Sequence, residues 1–259
     1  MNKSHLYEER NNSQGCLMKI IEYNKNSDIV VEFQDEHKAK VHTNYSNFQR
    51  GLVKNPYYPM VYGVGIAGNK YKTVDENSKS TREYMTWYHI IQRCYSDKLK
   101  EKQPTYRDIV VCSDWLLYEN FYEWLHSQPN FDKWYYGKRW AVDKDILVKG
   151  SKIYSPETCC LIPQNVNCLF LKREAERGEY PIGVRYREDK GFVAFCRNPF
   201  IDKSEEIGSY STPKNAFYLG YKPYKEKIIK QVAQEEHNKG NISEECYKAM
   251  MNYVVEIDD

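Results

Sequence analysis

No stretch of this 259-residue chain approaches the roughly 18 consecutive apolar residues that a membrane span needs, so no membrane partner is expected. Residues 1–15 are polar and lack the apolar core of a secretory signal, which predicts a cytoplasmic protein. The eight cysteines include no CxxC pair, and their only close group is Cys159, Cys160 and Cys168. A structural zinc site usually shows two tight ligand pairs, so no zinc is expected. The cysteines read instead as small buried residues of a reducing compartment. A strong excess of one charge is missing too: 38 Lys and Arg face 36 Asp and Glu, for a net charge of +2. Bulk attraction to nucleic acid is thereby excluded, and any such contact must come from a local patch. Internal repeats and low-complexity tracts are also lacking.

What remains is an ordinary soluble composition, 41% hydrophobic and 29% charged, with 24 tyrosines. Tyrosine serves both half-buried β-surfaces and binding faces, so its abundance alone does not choose between them. Residues 18–23, 28–33 and 38–43 alternate as short strands joined by polar turns, and residues 45–51 read as a turn. This predicts a small SH3-like barrel or curled sheet over residues 1–70. The glycines of GVGIAG (63–68) resemble a dinucleotide fingerprint, but no strong strand precedes them and Gly-Asn-Lys breaks any following helix. Residues 63–81 therefore read as a connector. Apolar residues recur at helical spacing over 82–97 and again from Ser113 or Asp114 through Leu125, towards Pro129. His89 and His126 ride on these helices, where a core or solvent-edge position is the ordinary role.

Residues 140–167 predict a hairpin followed by a helix: WAVDKDIL as one strand, a Gly-containing turn, a second strand within IYSPETCCLIP, and a helix opening at Pro163. Three strand-like runs follow at GVRYR, FVAFCR and EEIGSYS, then helical residues 214–234. An acidic amphipathic tail closes the chain, with Cys246, Met250 and Val254 on one stripe. The fold class expected is α+β and modular. An N-terminal β-module covers residues 1–70, a central ββα block 71–172, a three-stranded sheet plus helix 173–235, and a C-terminal helix 236–259.

Two stretches carry family resemblances. Residues 84–167, with VDKD and QNVN around a turn, resemble the phage-encoded HNH endonucleases, whose centre is a ββα-metal motif. The resemblance implies Asp143 as a ligand for Mg²⁺ or Mn²⁺ and Asn167 as the helix ligand, with Asn165 as the alternative. Oxygen donors of this kind suit a hard cation. Lys144 stands at the position of the general base. An ammonium with a pKa of about 10.4 does not take a proton from water at neutral pH, so hydrolysis is expected to be weak or absent. Lys144 is instead a candidate phosphate clamp, and His126 the candidate substitute base. The same residues also have a plain structural reading. Asp143 and Asp145 flank a turn, Lys144 pairs with either, and Asn165 or Asn167 caps a helix.

GVRYREDKGFVAFCR and EEIGSYSTPKNA resemble the three-stranded DNA-binding domain of plant ethylene-response, or APETALA-type, factors. The resemblance implies that Arg185, Arg187 and Arg197, with Tyr186 beside them, contact duplex DNA. Alternation puts Arg185 and Arg187 on one face of a strand, where bidentate contacts to guanine or phosphate are feasible. Asp189 stands where that family has tryptophan, and Phe195 where it has an acidic contact. The expected function is binding of double-stranded DNA by a phage or mobile-element protein in a bacterial host cell. The alternative is a catalytically dead scaffold that binds protein, such as an inhibitor of a host anti-phage defence complex.

Overall fold

A computed structural model describes residues 5–171 and 178–257. The protein is α+β, combining helices with several small sheets, and none of its described helices is long and apolar enough to cross a membrane. The chain divides into two compact units, Met1–Leu125 and His126–Asp259.

In the first unit, β1 (Glu9–Asn11), β2 (Leu17–Lys25), β3 (Asp28–Phe33) and β4 (Lys40–Thr43) form an antiparallel meander in that order. The sheet is open, because no described pairing joins β1 to β4. Alternation buries Met18 and Ile20 of β2 against Ile29, Val31 and Phe33 of β3. Residues 45–51, expected as a turn, instead begin with a short helix, α1 (Tyr45–Gln49). The Asn44 side chain accepts the Asn47 N–H at 2.8 Å, and Phe48 drops fully into the sheet core.

Helix α2 (Arg82–Tyr95) opens on Thr81, whose hydroxyl accepts the Tyr84 N–H, and buries Trp87, Ile90, Ile91 and Cys94 along one face. The next helix starts later than the apolar spacing predicts. Ser113–Leu116 is a single 3₁₀ turn, and α3 runs over Tyr118–Ser127. The interruption has a partner: Ile66 N–H donates to the Leu116 carbonyl and Tyr118 N–H to the Ile66 carbonyl, each at 2.8 Å. Leu117 is pulled into an extended bridge that no helix can accommodate.

The second unit begins with α4 (Phe131–Tyr136), followed by the hairpin strands β5 (Trp140–Asp143) and β6 (Cys160–Pro163), paired Trp140 to Pro163 and Asp143 to Cys160. The helix after the hairpin is brief: α5 (Gln164–Asn167) gives way to a 3₁₀ turn at Cys168–Phe170. Next come β7 (Val184–Arg187), β8 (Gly191–Asn198) and β9 (Lys203–Tyr210), an antiparallel sheet with β8 central. A bulge at Ala194/Phe195 shifts the β8–β9 register. A π-helical turn, Ala216–Tyr221, leads into α6 (Lys222–Asn238), and α7 (Glu244–Met251) follows.

One core unites this unit. Cys160, Ile162 and Val166 of the hairpin block pack in the same cluster as Val184 and Ala194 of the sheet, Ile229 of α6 and Met250 of α7. The separation expected between residues 172 and 173 is therefore not a break in the core. The tail differs by one residue from its expected stripe. Cys246 and Met250 are fully buried, but α7 ends at Met251, so Val254 is 50% exposed and Val255 only 3%.

Close approach explains one glycine of the sheet. Gly183, at φ +73°, precedes β7, and a Cβ there would lie 2.0 Å from the Tyr221 ring. The hydrogen atom of glycine is what lets the π-helical turn rest on the sheet.

Candidate functional site

The hairpin of β5 and β6 and the arginine-bearing sheet both belong to the second unit. Asp143 ends β5 because its carboxylate closes the turn: Oδ1 accepts the Asp145 N–H at 2.9 Å and the Ile146 N–H at 3.0 Å. Burial pushes the Asp143 carboxyl above its ordinary range, with the Asp145 charge adding to the rise and the two N–H donors opposing it. Lys144 is 6% exposed, and its Nζ donates to both carboxylate oxygens of Asp145 at 2.8 Å. The same Nζ lies 5.9 Å from the centre of the Tyr154 ring. Its charge is thus matched inside the protein by its sequence neighbour.

The other residues of this proposed site have their own engagements. Asn165 is exposed on α5, with Nδ2 3.5 Å from Glu236 Oε1, and Asn167 is half-buried at the end of that helix. His126 is exposed, its ring 3.9 Å from that of Phe131. The structure brings Asp143, Lys144 and Asp145 together, whereas His126 and Asn165 contact other residues. Among the described residues, no group of three or more His, Cys, Asp or Glu side chains could hold a metal ion.

On the sheet, the register places Arg185 opposite Val193 and Arg187 opposite Gly191. Val184, Ala194 and Cys196 turn into the core, so Arg185, Arg187 and Arg197 share the other face. Tyr186 does not join them. Alternation sends it to the side of Val184, where it stays 53% exposed with its ring edge-on to Phe192 at 5.2 Å. Tyr186, a candidate DNA contact, thus stands on the face opposite the three arginines.

Each arginine has an internal neighbour. The Arg185 guanidinium lies over Phe195, 5.4 Å from the ring centre. Arg187 reaches Glu206 at 3.1 Å and Asp189 at 3.4 Å, and Arg197 pairs with Asp202. Lys190 shares Glu206 at 2.6 Å. Over residues 178–212 five Lys and Arg stand against six Asp and Glu. Sequence reasoning missed Lys190 and Glu206, although the charge-dense REDK turn beside β7 was a signal for them.

The GVGIAG run also finds an anion, from its own unit. Glu119 is buried on α3, and its Oε1 accepts the N–H groups of Asn69 and Lys70 at 2.9 and 2.7 Å and the Tyr57 hydroxyl at 3.1 Å. Gly68, at φ +70°, lies so close that a Cβ would meet that oxygen at 2.2 Å. Consecutive N–H groups aimed at a carboxylate form an anion-binding concavity, here filled by a side chain.

Comparison with protein-family models, with curated proteins and with solved structures finds no match for this chain.

Proposed function

We propose that the protein binds double-stranded DNA through the face of the sheet bearing Arg185, Arg187 and Arg197, and that it acts by binding rather than by phosphodiester hydrolysis. One observation carries this reading: three exposed arginines project from one face of a sheet whose other face is packed into the core. Surface ion pairs such as Arg187 with Glu206 are worth about 0–1 kcal/mol, so a phosphate or a base edge can replace the internal partner. Among the described residues, Arg185 lies over an aromatic ring and pairs with no carboxylate.

The hairpin supports the non-hydrolytic half of the proposal. Its donor set fits Mg²⁺ or Mn²⁺ poorly. The Asp143 oxygen is already committed to two N–H groups, its carboxyl is pushed towards the neutral form, and the Lys144 ammonium adjoins it in sequence. Substituting Lys144→His tests this directly. A general base contributes about 10²–10⁴-fold, yet with the rest of the set unsuited no gain in nicking of supercoiled DNA is expected in Mg²⁺ or Mn²⁺. Metal-dependent nicking by the variant would return the protein to the nucleases.

For the binding half, the measurement is affinity for random duplex DNA at two salt concentrations. Arg185→Ala with Arg187→Ala should weaken binding at least tenfold and flatten the salt dependence. Absence of duplex binding by the wild type at low salt would end this reading.

A second reading, recognition of a protein such as a component of a host anti-phage defence complex, is favoured by a different observation. The sheet region holds one more carboxylate than cations, and apolar side chains stand out around it, among them Phe200 and Ile201 at the β8–β9 turn and Leu219. Stoichiometric, salt-tolerant co-purification with a host protein is its expected signature.

A further inference from the structure

Two cysteines meet in the core of the second unit as free thiols. Cys160 opens β6 and is 3% exposed, and Cys246 lies fully buried in the first turn of α7. The Cys160 thiol donates to the Cys246 sulfur at 3.8 Å, across 86 positions of sequence. A third residue ties together the two backbones that carry them. Asn130, itself 3% exposed, donates through Nδ2 to the Leu161 carbonyl at 2.9 Å, next to Cys160. The same Nδ2 donates to the Asn241 carbonyl at 2.8 Å, just ahead of α7. Asn241 is held in turn by Glu236, whose Oε2 accepts its Nδ2 at 2.7 Å. The Ser243 hydroxyl then caps α7 by accepting the Cys246 N–H at 3.2 Å.

We infer that Cys160 and Cys246 are a site of reversible oxidation, closing to a disulfide that clasps α7 to the hairpin. Thiols already in contact need approach by only about 1.8 Å to reach an S–S bond of about 2.05 Å. The oxidant is a small-molecule disulfide such as glutathione disulfide. One cysteine thiolate attacks a sulfur of that disulfide, whose S–S bond breaks and releases one glutathione thiol. The second cysteine gives its proton to solvent and attacks the protein sulfur of the mixed disulfide, releasing the second glutathione. Two thiol hydrogens, as protons and electrons, thus pass from the protein to the oxidant.

Burial sets the rate of this exchange. The hydrogen bond to Cys246, together with desolvation, holds the Cys160 thiol well above its ordinary pKa, and the thiolate is the attacking species. The closed core therefore reacts slowly, and exchange begins when the eight-residue α7 lifts. Cys159 is not a member of the clasp. Its sulfur lies 3.8 Å from the Thr158 hydroxyl, outside the core cluster that holds Cys160 and Cys246. The bond encloses β7–β9 and α6 in one covalent loop, which stabilises the unit chiefly by restricting the unfolded chain.

Incubation of the full chain with glutathione disulfide, followed by peptide mapping without reductant, tests the inference. The map should join the Cys160 and Cys246 peptides, the intact chain should lose two hydrogen atoms, and dithiothreitol should reverse both. Closing a loop of this length should raise the thermal unfolding midpoint of the oxidised chain by about 10 °C. Cys246→Ala should abolish that shift and Cys159→Ser should retain it. The map of the wild type decides the matter even where a variant fails to fold. Both thiols left free, glutathione retained on either residue, or a link from Cys160 to another cysteine would overturn the proposal. So would an oxidised chain that unfolds earlier than the reduced one, or a shift that survives Cys246→Ala or requires Cys159.

Discussion

Lys144 and Arg187 are both cations beside carboxylates in the second unit, and they differ in what surrounds the pair. The Lys144 side chain is 7% exposed, whereas that of Arg187 is 44% exposed. Lys144 holds both oxygens of a single sequence neighbour, while Arg187 divides itself between Asp189 and Glu206, the latter shared with Lys190. The first arrangement is closed: a ligand would have to extract the ammonium from its pocket against Tyr154. The second is exchangeable, because water already competes for it and a new partner need only outbid a weak surface pair. A charge is available for function according to how cheaply its present partner can be replaced, and the two loci stand at opposite ends of that scale.

The largest test of the comparison lies in the backbone that supports the arginine strand. Gly183→Ala places a methyl 2.0 Å from the Tyr221 ring at a left-handed φ of +73°. Overpacking and the unfavourable φ together should cost about 3 kcal/mol. Because hairpin and sheet share one core, urea unfolding should show the whole second unit weakened. Loss confined to duplex binding, with the unfolding midpoint unchanged, would mean that sheet and π-helical turn are not in the contact described.

Removing partners separates the two loci more finely. Asp145→Ala strands the buried Lys144 ammonium. Losing one member of a buried pair costs about 3–5 kcal/mol, and solvent access to the Asp145 carboxylate reduces this to about 2 kcal/mol. Lys144→Met should be milder, within about 1 kcal/mol, since an apolar chain of similar length fills the same pocket. Glu206→Ala, which frees Arg187 and Lys190 at the surface, should change stability by no more than about 0.5 kcal/mol and strengthen any duplex binding. If denaturant midpoints show Asp145→Ala and Glu206→Ala to be equally mild, the contrast between a closed and an exchangeable pair is lost.

The parts of this molecule that alternate or repeat at helical spacing were legible in its sequence. Strands β2 and β3, helix α2 and the meander β7–β9 fall where the apolar pattern puts them, because each packs one face on a neighbour. The misses have tertiary causes. Leu117 leaves its helix for a bridge to Ile66, a partner 51 residues earlier that no local window contains. Phe48 makes α1 helical because the sheet core needs a cover. In the candidate site, alternation put Arg185 and Arg187 on one face of a strand, but the carboxylate partner that Arg187 finds on β9 depends on a pairing that only folding brings about. The pairing of Lys144 with Asp145 was legible as one of two plain alternatives; that it is buried was not.

The smallest expected effect is a slope rather than a step, and it concerns Asp143. Its carboxyl is raised in the folded protein above the ordinary aspartate value of 3.8, so between that value and its folded pKa the native state holds a proton that the unfolded chain releases. The associated stability is fully present below the ordinary value and is lost as pH rises through the folded pKa. Asp143→Asn keeps an oxygen to accept the Asp145 and Ile146 N–H groups but cannot ionise. The variant should therefore match or exceed the wild type in stability at neutral pH and show a flatter pH dependence across the acid range. Adding Mg²⁺ sharpens the test, since a ligand that binds only the folded state raises the unfolding midpoint. If Asp143 serves the turn, Mg²⁺ leaves both proteins unchanged. If it is a metal ligand, Mg²⁺ stabilises the wild type alone, and the hairpin then joins the arginine face among the exchangeable sites.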